Sequence, residues 1–256
     1  MEGVDFGKTA GDYGRYRQGF PPALFERLAA RGIGRAGQRL LDLGTGTGLF
    51  ARGFALRGCV VTGLDPSAAL LEEAARMDRA AALTVEHVEA RAEATGLATG
   101  SFDAVSAGSC WHWFDSPRAA AEAHRLLVPG GAIVIASLDW VATPGNVIDD
   151  TEALIEHHNP KWTLRAAEGL QRAAGWLRDL AASGFHDLEI FTFDFSATYS
   201  HEAWRGRIRA SAGVGATLDP AAVARFDDQL GALLLRKYPA DPLAIPHRVF
   251  ALVGHR

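Results

Sequence analysis

The sequence predicts an α/β fold in which a parallel β-sheet carries helices on both faces. Short apolar runs alternate with longer segments of helical periodicity from about residue 21 to residue 137. Glycine or proline separates most of these runs. Hydrophobic residues make up 48% of the 256 residues and charged residues 22%, which is typical of a globular protein with a sizeable core.

The first half of the chain supplies the alternation. Pro21 and Pro22 predict the start of a helix that ends near Arg31, because proline is tolerated in a first helical turn. The following strands are expected at residues 39–43, 59–64, 83–88 and 102–107, and the intervening helices at 49–56, 67–79 and 117–127. Strand–helix–strand order predicts parallel neighbouring strands.

The second half is less regular. A fifth strand is expected at 132–136, and residues 138–165, with Pro144, Gly145 and Pro160, are expected to form a loop or partial cap. The remaining predictions are a helix at 164–183, a strand at 188–195, helices within 200–237 that begin at Ser200 and Asp219, and a last strand at 247–253. Residues 1–20 are expected to be an irregular arm.

Composition disfavours several classes of protein. The net charge of −4, without a block of lysines and arginines, argues against nucleic acid as a partner. No apolar run reaches the roughly 18 residues of a membrane span, and the first residues lack the apolar segment of a secretory signal. Cys59 and Cys110 have no CxxC spacing, so free thiols in a reducing cytoplasm are expected. No metal site is expected, since His157 and His158 have no spaced ligand set around them.

A glycine loop follows the first predicted strand. Gly44-Thr-Gly-Thr-Gly48 allows a tight turn and close approach of a ligand, and Asp65 ends the second predicted strand, where a carboxylate can bind ribose hydroxyls. Leu49 occupies the third glycine position of the dinucleotide motif, which disfavours a nicotinamide oxidoreductase. The two features predict a different ribose-bearing cofactor. A plain tight turn and a helix-capping Asp65 are the alternatives.

Four strings, taken in order, resemble the motifs of class I S-adenosylmethionine (SAM) methyltransferases. They are LLDLGTGTGLFARGFALRG, VVTGLDPSAALLEEAA, FDAVSAGSCWHWFD and HRLLVPGGAIVIA. The similarity covers about residues 10–137. The arm with Tyr13, Tyr16 and Arg17, together with the string His112-Trp113-Phe114, fits the type 11 subgroup, which includes trans-aconitate-methyltransferase-like small-molecule enzymes.

This resemblance implies a single domain over 1–256 with a Rossmann-like seven-stranded sheet in the order 3-2-1-4-5-7-6, the last strand antiparallel. Residues 138–165 and 196–243 would be helical cap insertions for the substrate, and 1–20 a lid arm. The implied cofactor is S-adenosyl-L-methionine, with S-adenosyl-L-homocysteine as product. Its implied ligands are Asp42, Gly44, Thr45, Gly46, Gly48, Asp65, Pro66 and Ser109, with Arg17 from the lid.

One position departs from the family pattern. Many relatives carry an aspartate followed by alanine after the third strand, where the pair contacts adenine. Here Arg91 stands at the acidic position and Ala92 keeps the alanine, so Glu93 is expected to supply the carboxylate. A solvated Glu93 at a helix start is the alternative.

The segment Ala107–Asp115, AGSCWHWFD, follows the fourth strand and, with the family's strand order, is expected beside the glycine loop. His112 is the candidate catalytic base, because histidine titrates near neutral pH. The alternative is that His112 is a packed residue that transfers no proton, because a carboxylate acceptor needs no base. If the segment is extended, Trp111 and Trp113 point away from His112. Both are expected to bind substrate, with Tyr13 and Tyr16. The alternative is that one tryptophan lines the substrate or SAM and the other lies in the core.

The resulting functional prediction is SAM-dependent methyl transfer to an oxygen or nitrogen atom of a small molecule in secondary metabolism, by a monomer or homodimer. One alternative is a SAM-binding protein without catalysis. Another is a nucleic-acid methyltransferase, which the string Ser109-Cys-Trp-His112 disfavours, because methylation of exocyclic amines predicts an Asp/Asn-Pro-Pro-aromatic string there.

Overall fold

A computed structural model describes Tyr16, residues 19–162 and residues 168–256. Its helices are α1 (Pro22–Ala30), α2 (Leu49–Ala55), α3 (Ala68–Ala80), α4 (Ser116–Leu126), α5 (Val147–His158), α6 (Glu168–Ala182), α7 (His201–Arg209) and α8 (Pro220–Lys237). Its strands are β1 (Arg39–Leu43), β2 (Val60–Asp65), β3 (Val85–Glu89), β4 (Phe102–Gly108), β5 (Leu127–Trp140), β6 (His186–Tyr199) and β7 (Leu243–His255). A 3₁₀ turn covers Trp111–Trp113.

The strands form one seven-stranded sheet in the order β3-β2-β1-β4-β5-β7-β6, with the last strands antiparallel, which confirms the predicted topology. β1 pairs in parallel with β2 on one side and with β4 on the other. The strand order therefore reverses between β1 and β4, and their carboxyl ends meet at one edge, where open α/β sheets bind ligands. In this register Asp42 lies opposite Ser106.

The described residues divide into two compact units. The sheet unit comprises residues 19–138, 169–193 and 249–256, and its core includes Leu41, Val105, Trp111, Ile133 and Phe250. The helical unit comprises Tyr16, residues 139–162, 168 and 194–248, and its core includes Ile155, Trp204, Phe226, Leu230 and Ile245. Each unit thus has a hydrophobic core of its own.

Within 138–165 the prediction of a loop was wrong for the centre, which forms helix α5, in line with the helical segment that the resemblance implied there. Asn146 caps this helix by accepting a hydrogen bond from the Asp149 N–H at 2.9 Å. Val147, Ile148 and Ile155 are buried and lie on one face of the helix. The Pro144–Gly145 breaker and Pro160 flank the helix and do not interrupt it.

The predicted caps of the last two helices are confirmed. Ser200 Oγ accepts the Ala203 N–H at 3.1 Å, and Asp219 Oδ1 accepts the Ala222 N–H at 2.8 Å. Both cysteines are free. Within the described ranges, no helix has the length and apolar character that crossing a membrane requires. The same residues contain no group of three or more histidine, cysteine or acidic side chains able to hold a metal ion.

Candidate functional site

The glycine loop turns from β1 into α2 through left-handed backbone. The φ angles of Gly44, Gly46 and Gly48 are +63°, +56° and +79°, a region that residues with a Cβ rarely adopt. A Cβ on Gly46 would meet no described atom within 4 Å, so this part of the loop faces open space. A Cβ on Gly44 would lie 2.9 Å from Cys110 Sγ, so the loop and the segment after β4 pack closely together.

Asp65, the last residue of β2, holds the loop from the neighbouring strand. Its Oδ2 accepts the Gly46 N–H at 2.9 Å, and its Oδ1 accepts the Ser67 N–H at 2.9 Å. Ser67 is the residue that caps α3, so Asp65 is not the helix cap. Burial raises the pKa of Asp65, which the two backbone hydrogen bonds partly offset. Its carboxylate can still accept further hydrogen bonds.

Asp42 lies beneath the loop at the end of β1 and is 1% exposed. Its Oδ1 accepts a 2.6 Å hydrogen bond from the Ser106 hydroxyl on β4. Burial raises the pKa of Asp42 to about 6, against the lowering effect of the Ser106 hydrogen bond. Thr45 packs against Gly63 of β2. The Thr47 hydroxyl is buried without a hydrogen-bond partner among the described residues.

The segment after β3 has a more structural role than expected. Ala92 is 3% exposed and belongs to the core of the sheet unit. Glu93 Oε1 accepts the Asp115 N–H at 2.9 Å, and its side chain is 13% exposed, so the solvated alternative for Glu93 is wrong. Arg91, 80% exposed, lies 3.9 Å from the Glu93 carboxylate, and Pro66 is exposed at the end of β2.

The chain reverses sharply at the end of β4. Ser109 has φ +57°, an uncommon conformation for a residue with a side chain. Its N–H donates to the Ala136 carbonyl at 2.7 Å, and its Oγ accepts the Leu138 N–H at 3.3 Å. Such a backbone conformation costs energy and is kept only where the surrounding contacts hold it in place. Residues of this kind are common near functional sites.

Residues 111–113 form a 3₁₀ turn, so the condition of an extended segment is not met. In this turn the His112 and Trp113 rings lie side by side, with centroids 4.9 Å apart, and both are partly exposed. Trp111 is 1% exposed in the core, and its Nε1 donates to Ser116 Oγ at 2.9 Å. Its ring therefore has no exposed face for a substrate, unlike that of Trp113.

Two residues that flank this turn pack against the start of the glycine loop. Cys110 Sγ donates to the Leu43 carbonyl at 3.1 Å, and a Cβ on Gly44 would lie 2.9 Å from the Phe114 ring. Cys110 and Phe114 flank His112 and Trp113 in sequence, so the predicted meeting of loop and segment is found. Elsewhere, the Tyr16 ring packs against Gly206 within the helical unit. Tyr13 and Arg17 lie outside the described residues.

Comparison with known proteins identifies this arrangement. Residues 41–135 match the family model described as a methyltransferase domain. This range contains the end of β1, the glycine loop, Asp65 and the 109–114 segment. Over these residues the chain is similar to the type 11 group of SAM-dependent methyltransferases.

The relatives are methyltransferases too. An uncharacterised methyltransferase of Mycobacterium tuberculosis (strain H37Rv) is 34% identical over 151 residues, 57% of this chain and 59% of the relative. A malonyl-[acyl-carrier protein] O-methyltransferase of Enterobacter lignolyticus is 36% identical over 137 residues, 52% of this chain and 51% of the relative. Each match thus spans less than two thirds of the relative's length.

A solved structure from Anaeromyxobacter dehalogenans, assigned as a type II methyltransferase, has the same fold. It superposes with a TM-score of 0.67 at 23% identity, covering 94% of this chain and 98% of the other.

The cofactor of this family, S-adenosylmethionine, suits the donor set of the glycine loop. It has ribose hydroxyls that donate hydrogen bonds, an amino group and a positively charged sulfur. Asp65 and Asp42 are buried acceptors at the carboxyl ends of β2 and β1, and Gly46 leaves the loop open to an incoming group. The unpartnered Thr47 hydroxyl is a further polar group at the same loop.

Two residues of this candidate site were not predicted from the sequence. Ser106 bonds to Asp42, and Arg52 donates to the Thr47 carbonyl at 2.6 Å from within α2. The signal for Arg52 was a charged residue inside the otherwise apolar helix LFARGFAL, directly after the glycine loop. Ser106 gave no such signal, because its partner lies 64 residues away in sequence.

Proposed function

We propose that this protein transfers a methyl group from SAM to an oxygen or nitrogen atom of a small molecule. The observation that carries the proposal is the packing of the 109–114 turn on the glycine loop. Cys110 and Phe114 both contact Gly44, and between them in sequence stand the partly exposed rings of His112 and Trp113. A titratable ring and an aromatic face thereby lie next to the predicted methyl donor.

The proposed cofactor ligands are residues of the sheet unit. Asp65 would accept hydrogen bonds from the ribose hydroxyls, and Asp42 would orient the amino-acid part and attract its positive charge. The remaining assignments are Gly44, Thr45, Gly46 and Gly48 along the methionine and ribose, Ser109 near the methionine end, and Pro66, Ala92 and Glu93 near adenine. The Glu93 assignment requires its carboxylate to bind adenine while it holds Asp115.

The chemistry is an in-line displacement, in which the acceptor atom forms a bond to the methyl carbon as the carbon–sulfur bond breaks. The protein's contribution is alignment and exclusion of water, because no further activation of the methyl group is needed. A hydroxyl or protonated amine must also lose a proton, and we assign His112 as the base that takes it. A carboxylate acceptor already carries its negative charge.

An oxygen acceptor has the support of a relative's name. The Enterobacter lignolyticus protein, which is 36% identical over 137 residues, is named an O-methyltransferase. The two segments predicted as cap insertions for the substrate, 138–165 and 196–243, belong to the helical unit over their described residues, apart from residue 138. There the Arg207 guanidinium lies 4.9 Å from the Trp140 ring centroid, a contact of cation and aromatic face.

The cofactor assignment predicts the effect of Asp65→Ala. Loss of a carboxylate that accepts ribose hydrogen bonds should weaken binding of SAM and of S-adenosylhomocysteine by about 10- to 100-fold. Isothermal titration calorimetry measures both constants. Asp103→Ala is the matched control, because Asp103 pairs with Arg39 at the amino ends of β4 and β1, and its SAM affinity should stay within about twofold of wild type. NAD binding without SAM binding, or an Asp65→Ala variant with wild-type affinity, would refute the assignment.

The proposed base predicts the effect of His112→Ala. On a hydroxyl or amine acceptor the substitution should lower kcat by about 10²- to 10⁴-fold and remove the rise of rate with pH, while a carboxylate acceptor should lose far less. Release of S-adenosylhomocysteine across a panel of small acids, alcohols and amines measures this. His124→Ala is the control, because His124 packs on Phe185 away from the loop. A His112→Ala enzyme with unchanged rate and pH profile on a hydroxyl acceptor would reduce His112 to a pocket-lining residue.

A further inference from the structure

A buried guanidinium supports the glycine loop from the side of helix α2. Arg52 is 9% exposed, and its Nη2 donates to the Thr47 carbonyl at 2.6 Å. A Cβ on Gly48 would lie 2.9 Å from Nη1, so the guanidinium fits here because residue 48 has no side chain. Arg52 therefore contacts the second half of the loop directly.

The same guanidinium is also held from helix α3 of the sheet unit. Its Nη1 donates to Asp78 Oδ1 on α3 at 2.7 Å, and Asp78 is 3% exposed. The second oxygen of Asp78 lies 3.1 Å from His87 Nε2 on β3. The Arg52 side chain thus joins the loop to α3 and, through Asp78, to β3. We use the name loop clamp for Arg52, Asp78 and His87.

Stability alone is a weak explanation for the loop clamp. Burying an ion pair costs desolvation energy, and apolar residues of similar volume are often as stabilising. An apolar side chain at position 52, however, could not hold the Thr47 carbonyl. That carbonyl shares a rigid peptide plane with the Gly48 N–H, which donates to the Thr45 carbonyl at 2.8 Å. By holding the Thr47–Gly48 peptide plane, Arg52 therefore fixes the turn that follows Gly46, where the loop faces open space.

We infer that Arg52 is a positioning residue, which holds the glycine loop in the geometry that binds SAM while Asp78 holds Arg52 and His87 lies against Asp78. The inference rests on the proposed assignment of this loop to the cofactor. Without the guanidinium, the Thr47–Gly48 peptide would sample other orientations, and cofactor binding would then have to order the loop.

The test compares four single variants by calorimetry with SAM and with S-adenosylhomocysteine, well below each variant's thermal midpoint. Arg52→Met should weaken both ligands about tenfold or more. Arg52→Lys should recover part of the loss, because one ammonium can reach the Thr47 carbonyl or Asp78 without the fork that serves both. The affinity of Asp78→Asn for both ligands should lie between those of wild type and Arg52→Met, because this variant leaves the guanidinium in place with a weaker partner.

Arg205→Met is the matched control. Arg205 is a partly buried arginine of the helical unit that pairs with Asp227 between α7 and α8. Its loss should destabilise the fold while leaving SAM affinity within about twofold of wild type. Amide hydrogen exchange without ligand supplies a second readout, since the Gly48 N–H should exchange faster in Arg52→Met and keep its wild-type rate in Arg205→Met.

Two results would overturn the loop clamp. One is wild-type affinity in folded Arg52→Met, or in Arg52→Lys and Asp78→Asn together if Arg52→Met does not fold. The other is an equal loss of affinity in Arg205→Met, which would mean a general effect of destabilisation. Asp65→Ala separates the two proposals. If Asp65→Ala binds SAM normally, the cofactor assignment fails; if it loses SAM and the Arg52 variants do not, only the loop clamp fails.

Discussion

At the scale of single residues, burial at the sheet edge determines how the cofactor site responds to pH. Asp42 is 1% exposed, and its pKa is raised to about 6 from 3.8. Its neighbours in the site are Ser106, which donates to it, and the second buried carboxylate, Asp65. Asp42 is therefore ionised at neutral pH and becomes neutral under mildly acidic conditions.

This titration predicts a pH dependence of SAM affinity. The ionised carboxylate attracts the positive charges of the cofactor, so affinity should be highest above pH 6 and fall below it, by at most about tenfold per pH unit. Calorimetry between about pH 5 and about pH 8 measures the slope. Asp42→Asn should bind SAM more weakly at neutral pH and lose most of the dependence near pH 6. A wild-type affinity that is flat through pH 6 would contradict this role for Asp42.

The residues that the sequence predicted well are those whose signal is local. The glycines of the loop and Asp65 could be recognised from a few neighbouring positions, and each lies where it was expected. Trp111 was misassigned because burial depends on the backbone path, and the 3₁₀ turn directs its ring into the core. Ser106 and Arg52 depend on partners 64 and 26 residues away, which local patterns do not identify.

At the scale of elements, the parallel half of the sheet was predictable, because buried parallel strands are short apolar runs that end at glycine or aspartate. β1, β2 and β4 were each expected within about one residue of their observed bounds. The strand order 3-2-1-4-5-7-6 does not follow from these runs. It came from the resemblance of four motifs to a known family, and the structure confirms it.

The later elements were predicted less well because their signals compete. β5 runs from Leu127 to Trp140 and includes Pro129-Gly130-Gly131, a string that usually marks a turn. Helix α5 lies between the Pro144–Gly145 breaker and Pro160, and its Asn146 cap is the feature that would have revealed it. Helix α8, with its Asp219-Pro220 start, had no competing signal and was predicted within a few residues.

At the scale of the whole molecule, one buried histidine connects pH with the free energy of unfolding. His247, on β7 in the helical unit, is 1% exposed and stacks on Phe195 and Tyr199, at centroid distances of 5.5 Å and 6.1 Å. Its Nδ1–H donates to the Ile245 carbonyl at 2.8 Å. Burial and, to a smaller extent, the charge of Arg207 together lower the pKa of His247 from 6.5 to about 4, against the raising effect of that hydrogen bond.

Between pH 6.5 and about 4, His247 is neutral in the folded protein and protonated in the unfolded chain. Unfolding then takes up a proton, so acid favours the unfolded state, and this one group should remove about 3 kcal/mol of stability across that window. Asp42 acts in the opposite direction between 3.8 and about 6, because its folded form holds the proton more tightly than its unfolded form.

The two contributions can be separated by comparing urea unfolding of wild type and His247→Asn at about pH 7 and about pH 4.5. Asparagine keeps an N–H donor for the Ile245 carbonyl and does not titrate, so the variant should be less stable than wild type at neutral pH and lose less stability in acid. Asp42→Asn should lose more stability than wild type over the same interval, because its opposing contribution is absent. If His247→Asn and wild type lost equal stability in acid, His247 would have to be protonated in the folded protein at about pH 4.5. The aromatic packing around its ring disfavours that charged form.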